Sequence, residues 1–175
     1  MHRLSVDEFK AASKRPLVVV LDNVRSLHNV GSVLRSCDAF RVEAVYLCGI
    51  TATPPSAEIH KTALGAEDSV TWKYFAQTTD AIDELHAKGT KVYAVEQVAG
   101  STMLQNLDTE VGTRYAVVLG NEVKGVQQTV VDLCDGCLEI PQFGTKHSLN
   151  VSVAAGIVVW EFAKKIGKGE EVERR

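Results

Sequence analysis

Short runs of consecutive apolar residues alternate along this chain with longer stretches in which apolar positions recur every three or four residues. The runs at 17–21, 44–48, 91–95, 115–119 and 137–140 are too brief for helices and predict strands; 70–75 fits either element and is read as a strand, giving about six. Helical spacing appears at 29–40 (Val30, Val33, Leu34, Cys37), at 57–64, and at 79–88, where Gly89 stops it. A long, almost wholly apolar helix is expected over 148–165, and a short one over 1–15 with Ser5 as N-cap and Glu8 closing a capping box. Strands of unbroken Val and Leu, separated by helices, imply a parallel sheet covered on both faces. No repeat or linker interrupts the pattern, so the expectation is one α/β domain over 1–175, with a charged, frayed tail at 167–175.

Composition narrows the function classes. A hydrophobic fraction of 45% and a charged fraction of 23% are ordinary for a globular domain. The net charge of −3 excludes a uniformly basic nucleic-acid binder, so any such affinity must come from local patches. The N-terminus lacks the apolar segment of a signal peptide, and the run at 151–160 is too short to span a bilayer; a cytoplasmic protein with no membrane partner is expected. Cys134 and Cys137 form a lone C-x-x-C with no second pair and no neighbouring His, which favours thiols beside a turn at Gly136 over zinc or redox chemistry. With the histidines scattered in separate segments, no metal site is expected.

In open α/β sheets, ligands bind beyond the carboxyl ends of the strands. Four such ends are polar or glycine-rich: 22–31, Glu96-Gln97, 120–125 and 142–148. Asn29, Gly31 and Arg35 lie at a helix start suited to an anion, although a capping Asn, a loop Gly and a surface Arg explain the same residues equally well. The stretch at 119–125 imitates a phosphate loop, but Val126-Gln127 stands where Lys-Ser/Thr would follow, which argues against a nucleoside triphosphatase. Ser148, Asn150 and Ser152 crowd the mouth of the apolar last helix. Polar groups there need partners or a ligand.

Three segments taken together resemble the SpoU/TrmH-type RNA ribose 2'-O-methyltransferases of the SPOUT superfamily. They are N-x-G-x-x-x-R at Asn29 to Arg35, L-G-N-E-x-x-G at Leu119 to Gly125, and I-P-x-x-G-x-x-x-S-L-N-V-S-V-A at Ile140 to Ala154. The resemblance implies a parallel-sheet fold with a C-terminal trefoil knot, an exception to the general avoidance of knots. It implies S-adenosylmethionine as cofactor, held by Glu96, Leu119, Gly120, Asn121, Gly125, Ile140, Gln142, Ser148 and Leu149, with Ile140 and Leu149 packing on the adenine. It also implies a homodimer with the active site at the subunit interface, where the last helix with Trp160 and Phe162 would be buried.

The catalytic set implied is Arg35, Asn29, Glu122, Ser148 and Asn150. A guanidinium stays protonated near neutral pH, so Arg35 is expected to clamp the 3'-phosphate and polarise the 2'-hydroxyl rather than act as a base. Glu122 would hold Arg35 or the substrate, and Ser152 is expected to pack or cap. Because sulfonium charge vanishes during transfer, a mostly neutral pocket is expected. RNA would be held by Lys10, Lys14, Arg15, Arg25, Arg35 and Arg41 with Lys124 and Lys146, although the N-terminal charges fit a solvated helix face equally well. A small catalytic core favours tRNA over rRNA. The rival reading is a non-catalytic RNA- or cofactor-binding module of the same fold, against which the joint presence of the five catalytic residues weighs.

Overall fold

The structure, a computed structural model, describes residues 3–166. The expected tail at 167–175 and the first two residues of the expected N-terminal helix lie outside the described residues. In chain order the elements are α1 (Val6–Ala11), β1 (Arg15–Asp22), α2 (Leu27–Ala39), β2 (Val42–Cys48), α3 (Ala57–Ala63), α4 (Ala66–Ser69) and β3 (Trp72–Phe75). They continue with α5 (Thr78–Ala87), β4 (Lys91–Val95), β5 (Thr102–Met103), β6 (Tyr115–Gly120), α6 (Gln128–Leu133), β7 (Gly136–Glu139) and α7 (Val151–Lys165).

The strands form one seven-stranded sheet in the order β3-β2-β1-β6-β4-β7-β5, with every pairing parallel. The unbroken apolar runs have a direct cause in this architecture. Leu17, Val19 and Leu21 of β1 face a core shared with α2, α3 and α7, whereas Val18 and Val20 face a second core under α5 and α6. With both faces covered, a strand has no position left for an alternating polar residue, and each fully buried Val or Leu contributes about 1.5–3 kcal/mol.

Element ends differ from the sequence expectations where capping decides them. The N-terminal helix is shorter, Val6–Ala11, because Arg15 already belongs to β1; the expected capping box between Ser5 and Glu8 is present. Helix α2 starts at Leu27 with Ser26 as its N-cap, so Asn29 lies inside the first turn. Helix α7 starts at Val151, not Ser148: Asn150 is the N-cap, its side chain accepting from the amides of Ser152 and Val153. Among the described residues there are seven strands rather than six, since the two-residue β5 pairs with β7. Among the described residues, no helix is long and apolar enough to cross a membrane, and no group of three or more His, Cys, Asp or Glu could hold a metal ion.

Candidate active site

The parallel register brings Asp22, Cys48 and Gly120 level at the carboxyl edge of the sheet. Beyond that edge, the loops after β4, β6 and β7 enclose a cleft of about 560 Å³ with the start of α7 as its far wall. Glu96, Gly120, Ile140, Gln142, His147, Ser148 and Leu149 line it, as do Leu119, Leu138, Val151 and Ala154. Apolar side chains opposite exposed backbone edges suit a flat heterocycle, gripped on its faces and read along its rim.

Two glycines are indispensable to that wall. A Cβ on Gly120 would lie 2.1 Å from the carbonyl carbon of Gly125 and from the amide nitrogen of Val126. The loop doubles back here, with Asn121 and Gly125 exchanging backbone hydrogen bonds of 3.0 and 2.9 Å. Gly125 has φ +70°, and a Cβ there would lie 2.3 Å from Oε1 of Glu96. That Glu96 oxygen accepts a 2.6 Å hydrogen bond from the Val126 amide. Asn121 stiffens the turn: its Oδ1 accepts from the amides of Val123 and Lys124, and its Nδ2 donates to the carbonyl of Asn23.

A relay of amide and carboxylate groups ties the three motif segments together. Glu122 accepts from the amides of Arg25 and Ser26, both at 2.9 Å, and from Nδ2 of Asn29 at 3.1 Å. Burial opposes the charge on Glu122, but the Ser26 and Arg25 amides and Asn29 outweigh it and hold the carboxyl below its usual range. Asn29 Oδ1 accepts from Asn150 Nδ2 at 3.2 Å, and Asn150 Oδ1 accepts from Ser152 Oγ at 2.6 Å. One polar chain thus joins the β1–α2 loop, the β6–α6 loop and the N-terminus of α7.

Several sequence expectations change here. Glu122 holds the start of α2 and Asn29, not Arg35. Arg35 is exposed on α2 and borders a shallow hollow with Ser32, Ser36, Phe40, Lys61 and Thr62, away from the cleft. Ser148 lines the cleft, is exposed, and has no protein hydrogen bond among the described residues. Most of the cleft lining is uncharged, but three carboxylates, Glu96, Glu122 and Glu139, stand in it together with Lys124. Protein donors already occupy Glu122, one oxygen of Glu96, and one of Glu139, which accepts from Ser101 Oγ at 2.6 Å. Phe162 is fully buried within the chain itself, whereas Trp160 is 52% exposed. The C-x-x-C thiols are poor nucleophiles: burial pushes Cys134 up to about 12, and Cys137 is raised for the same reason.

Sequence reasoning missed Asp22 as an organising group. Its fully buried carboxylate accepts from Thr78 Oγ1 at 2.6 Å and from Gln127 at both the backbone amide (2.8 Å) and Nε2 (2.7 Å). It therefore fixes the far end of the loop that Gly120 begins.

The sequence matches the SpoU rRNA Methylase family over residues 16–160. A 23S rRNA (guanosine-2'-O-)-methyltransferase RlmB of Nitrosomonas europaea is 36% identical over 156 residues, covering 89% of this chain and 58% of its own. Among solved structures, an AdoMet-bound rRNA methyltransferase from Sinorhizobium meliloti superposes with a TM-score of 0.80 at 28% identity, covering 89% of this chain and 59% of that one. A TrmH/SpoU tRNA modifying enzyme from A. aeolicus also gives 0.80, at 25% identity, covering 91% and 81%. The chain spans about three-fifths of the length of the curated relatives it matches.

Proposed function

We propose, from the premise that the chain belongs to the SpoU rRNA Methylase family, that it methylates a ribose 2'-hydroxyl of RNA using S-adenosylmethionine. The observation that carries this reading is the doubled-back loop at Gly120 and Gly125, which forms a cleft wall no side chain could share. The residues present fit the cofactor. Ile140 and Leu149 would hold the adenine between them, and the free oxygens of Glu96 and Glu139 would favour a cationic ligand. S-adenosylmethionine supplies the electrophilic methyl on its sulfonium.

Ser148 would orient the ribose at the α7 side of the cleft, while Asn29, Glu122 and Asn150 keep the loops in register. Arg35 would hold the 3'-phosphate and polarise the hydroxyl, with the proton passing to that phosphate. Its own protomer does not bring Arg35 to the cleft, so this role requires a homodimer. Supporting that assembly, Val153, Ile157 and Trp160 make an exposed apolar stripe on α7, 50%, 38% and 52% exposed, beside the α2 helix that carries Arg35. The knotted crossing of the chain, the extent of the domain, the cytoplasmic location and the site roles belong to the same proposal. For the substrate, the names of the curated relatives favour a 23S rRNA guanosine over the tRNA expected from chain size.

The test is transfer of tritiated methyl from S-adenosylmethionine to 23S rRNA transcripts and to tRNA, with mass spectrometry of the nucleoside products. 2'-O-Methylguanosine from rRNA is expected, with Arg35→Ala and Ser148→Ala both depressing turnover. The reading is wrong if S-adenosylhomocysteine does not bind, or if Arg35→Lys and Asn150→Ala both keep near-full turnover.

A further inference from the structure

Behind the loop at 121–125, on the side away from the cofactor cleft, lies a second and larger groove of about 1420 Å³. The same loop walls both, so whatever fills the groove lies against the back of the cleft wall. Its charge balance differs from that of the molecule as a whole. Glu122 is consumed by backbone amides and Asn29, and Glu58 is engaged by Lys61 at 2.8 Å and His28 at 3.2 Å. The guanidinium of Arg25 and the ammonium of Lys124, also on its walls, make no ion pair among the described residues. Two carboxylates and two basic side chains thus share the groove, and in a chain of net charge −3 these two cations are held in no direct ion pair.

Apolar groups stand beside those cations. Ile50 is 64% exposed and Val123 is 90% exposed, and both border the groove. They are held in place rather than loosely presented. Asn23, in the left-handed region at φ 54°, accepts from the Ile50 amide through Oδ1 at 2.9 Å. Its carbonyl accepts from Asn121 Nδ2 at 2.9 Å, anchoring the turn that carries Val123.

We infer that this groove binds a single-stranded RNA segment adjoining the methylated nucleotide, with phosphates on Arg25 and Lys124 and bases on Ile50 and Val123. This rests on the methyltransferase reading above. Fixed apolar groups beside cations held in no ion pair match a strand whose bases are unstacked and splayed; a duplex keeps its base faces stacked inside and would offer these apolar groups no base face.

The test uses fluorescence anisotropy of the whole protein with a fluorescein-labelled single-stranded RNA and with the same RNA annealed to its complement, alongside calorimetry with S-adenosylhomocysteine. Arg25→Glu should weaken single-strand binding roughly fivefold or more and flatten the slope of log affinity against log salt by about 0.7. Ile50→Ser should weaken binding severalfold with the slope unchanged, because it removes an uncharged contact. Neither side chain lines the cleft, so cofactor affinity should hold in both variants. Single-strand affinity within twofold of wild type in both variants, or a duplex bound as tightly as the single strand, would overturn the inference. If wild type binds no S-adenosylhomocysteine while Arg25→Glu still weakens RNA binding, the groove stands and the methyltransferase reading fails.

Discussion

Asp22 provides the most direct test of how the cleft is held open. Asp22→Ala removes a fully buried carboxylate and strands its donors, Thr78 Oγ1, the Gln127 amide and Gln127 Nε2. The Gln127 side chain is exposed and can turn to water, but buried Thr78 and the backbone amide cannot follow it. Two hydrogen bonds to a charged acceptor contribute about 3–6 kcal/mol, and relief of carboxylate burial offsets part of that. The net loss should be about 3 kcal/mol, within the roughly 5–15 kcal/mol of a folded domain, so the variant stays folded. Asp22→Asn should be milder, at about 2 kcal/mol. It keeps the oxygen facing Thr78 but sets an NH₂ against the Gln127 amide. With an m-value of about 2 kcal/mol/M, the urea midpoint followed by circular dichroism should fall by about 1.5 M for Ala and about 1 M for Asn. Because Gln127 closes the loop that begins at Gly120, affinity for S-adenosylhomocysteine should fall in the same order. A midpoint for Asp22→Ala within about 0.3 M of wild type would show that the anchor contributes nothing.

Gly120→Ala should abolish S-adenosylhomocysteine binding in calorimetry, since its Cβ would meet backbone at 2.1 Å; retained affinity would show that the loop reforms elsewhere. Val153→Asp should convert a dimer to a monomer in sedimentation velocity without a large loss of melting temperature, because Val153 is half-exposed in the protomer; a monomeric wild type would refute the proposed assembly. Glu122 has a lowered folded-state pKa, so its contribution to stability is present above the unfolded value near about 4.3 and is lost as pH falls through the folded value. The difference in urea midpoint between wild type and Glu122→Gln should therefore shrink on acidification below about pH 4, and a gap that stays constant would contradict the hydrogen-bond account.

The elements legible in the sequence are those whose cause is local. Buried parallel strands advertise themselves as unbroken apolar runs, and the Ser5–Glu8 capping box is readable within four residues. The start of α2 was expected at Asn29 and that of α7 at Ser148, whereas Ser26 and Asn150 are the caps. What separates the two asparagines is distant: Asn29 spends its side-chain amide on Glu122, 93 residues away, leaving Ser26 to cap, whereas Asn150 keeps its oxygen for the helix it begins. Asp22 was missed for the same reason, since its partner Gln127 lies 105 residues along the chain. Nothing nearby marks it as more than a strand terminus.

That distinction changes how the motif residues bear on function. Their joint presence weighs against a non-catalytic relative only if each is there for chemistry. Asn29, Glu122 and Asn150 are instead joints, each satisfying polar groups of another loop, and a protein that merely bound RNA or cofactor on this scaffold would need them equally. Loss of activity on mutating any of the three would thus leave catalysis and folding confounded. Arg35 and Ser148 are different. Both are exposed, and neither side chain makes a hydrogen bond among the described residues, so the fold gains nothing evident from those side chains. With cofactor binding argued from the loop at Gly120 and Gly125, the chemistry itself is tested at those two side chains. Arg35→Ala and Ser148→Ala that melt like wild type, bind S-adenosylhomocysteine like wild type and yet transfer no methyl group would separate chemistry from architecture, which no substitution in the Glu122–Asn29–Asn150 relay can do.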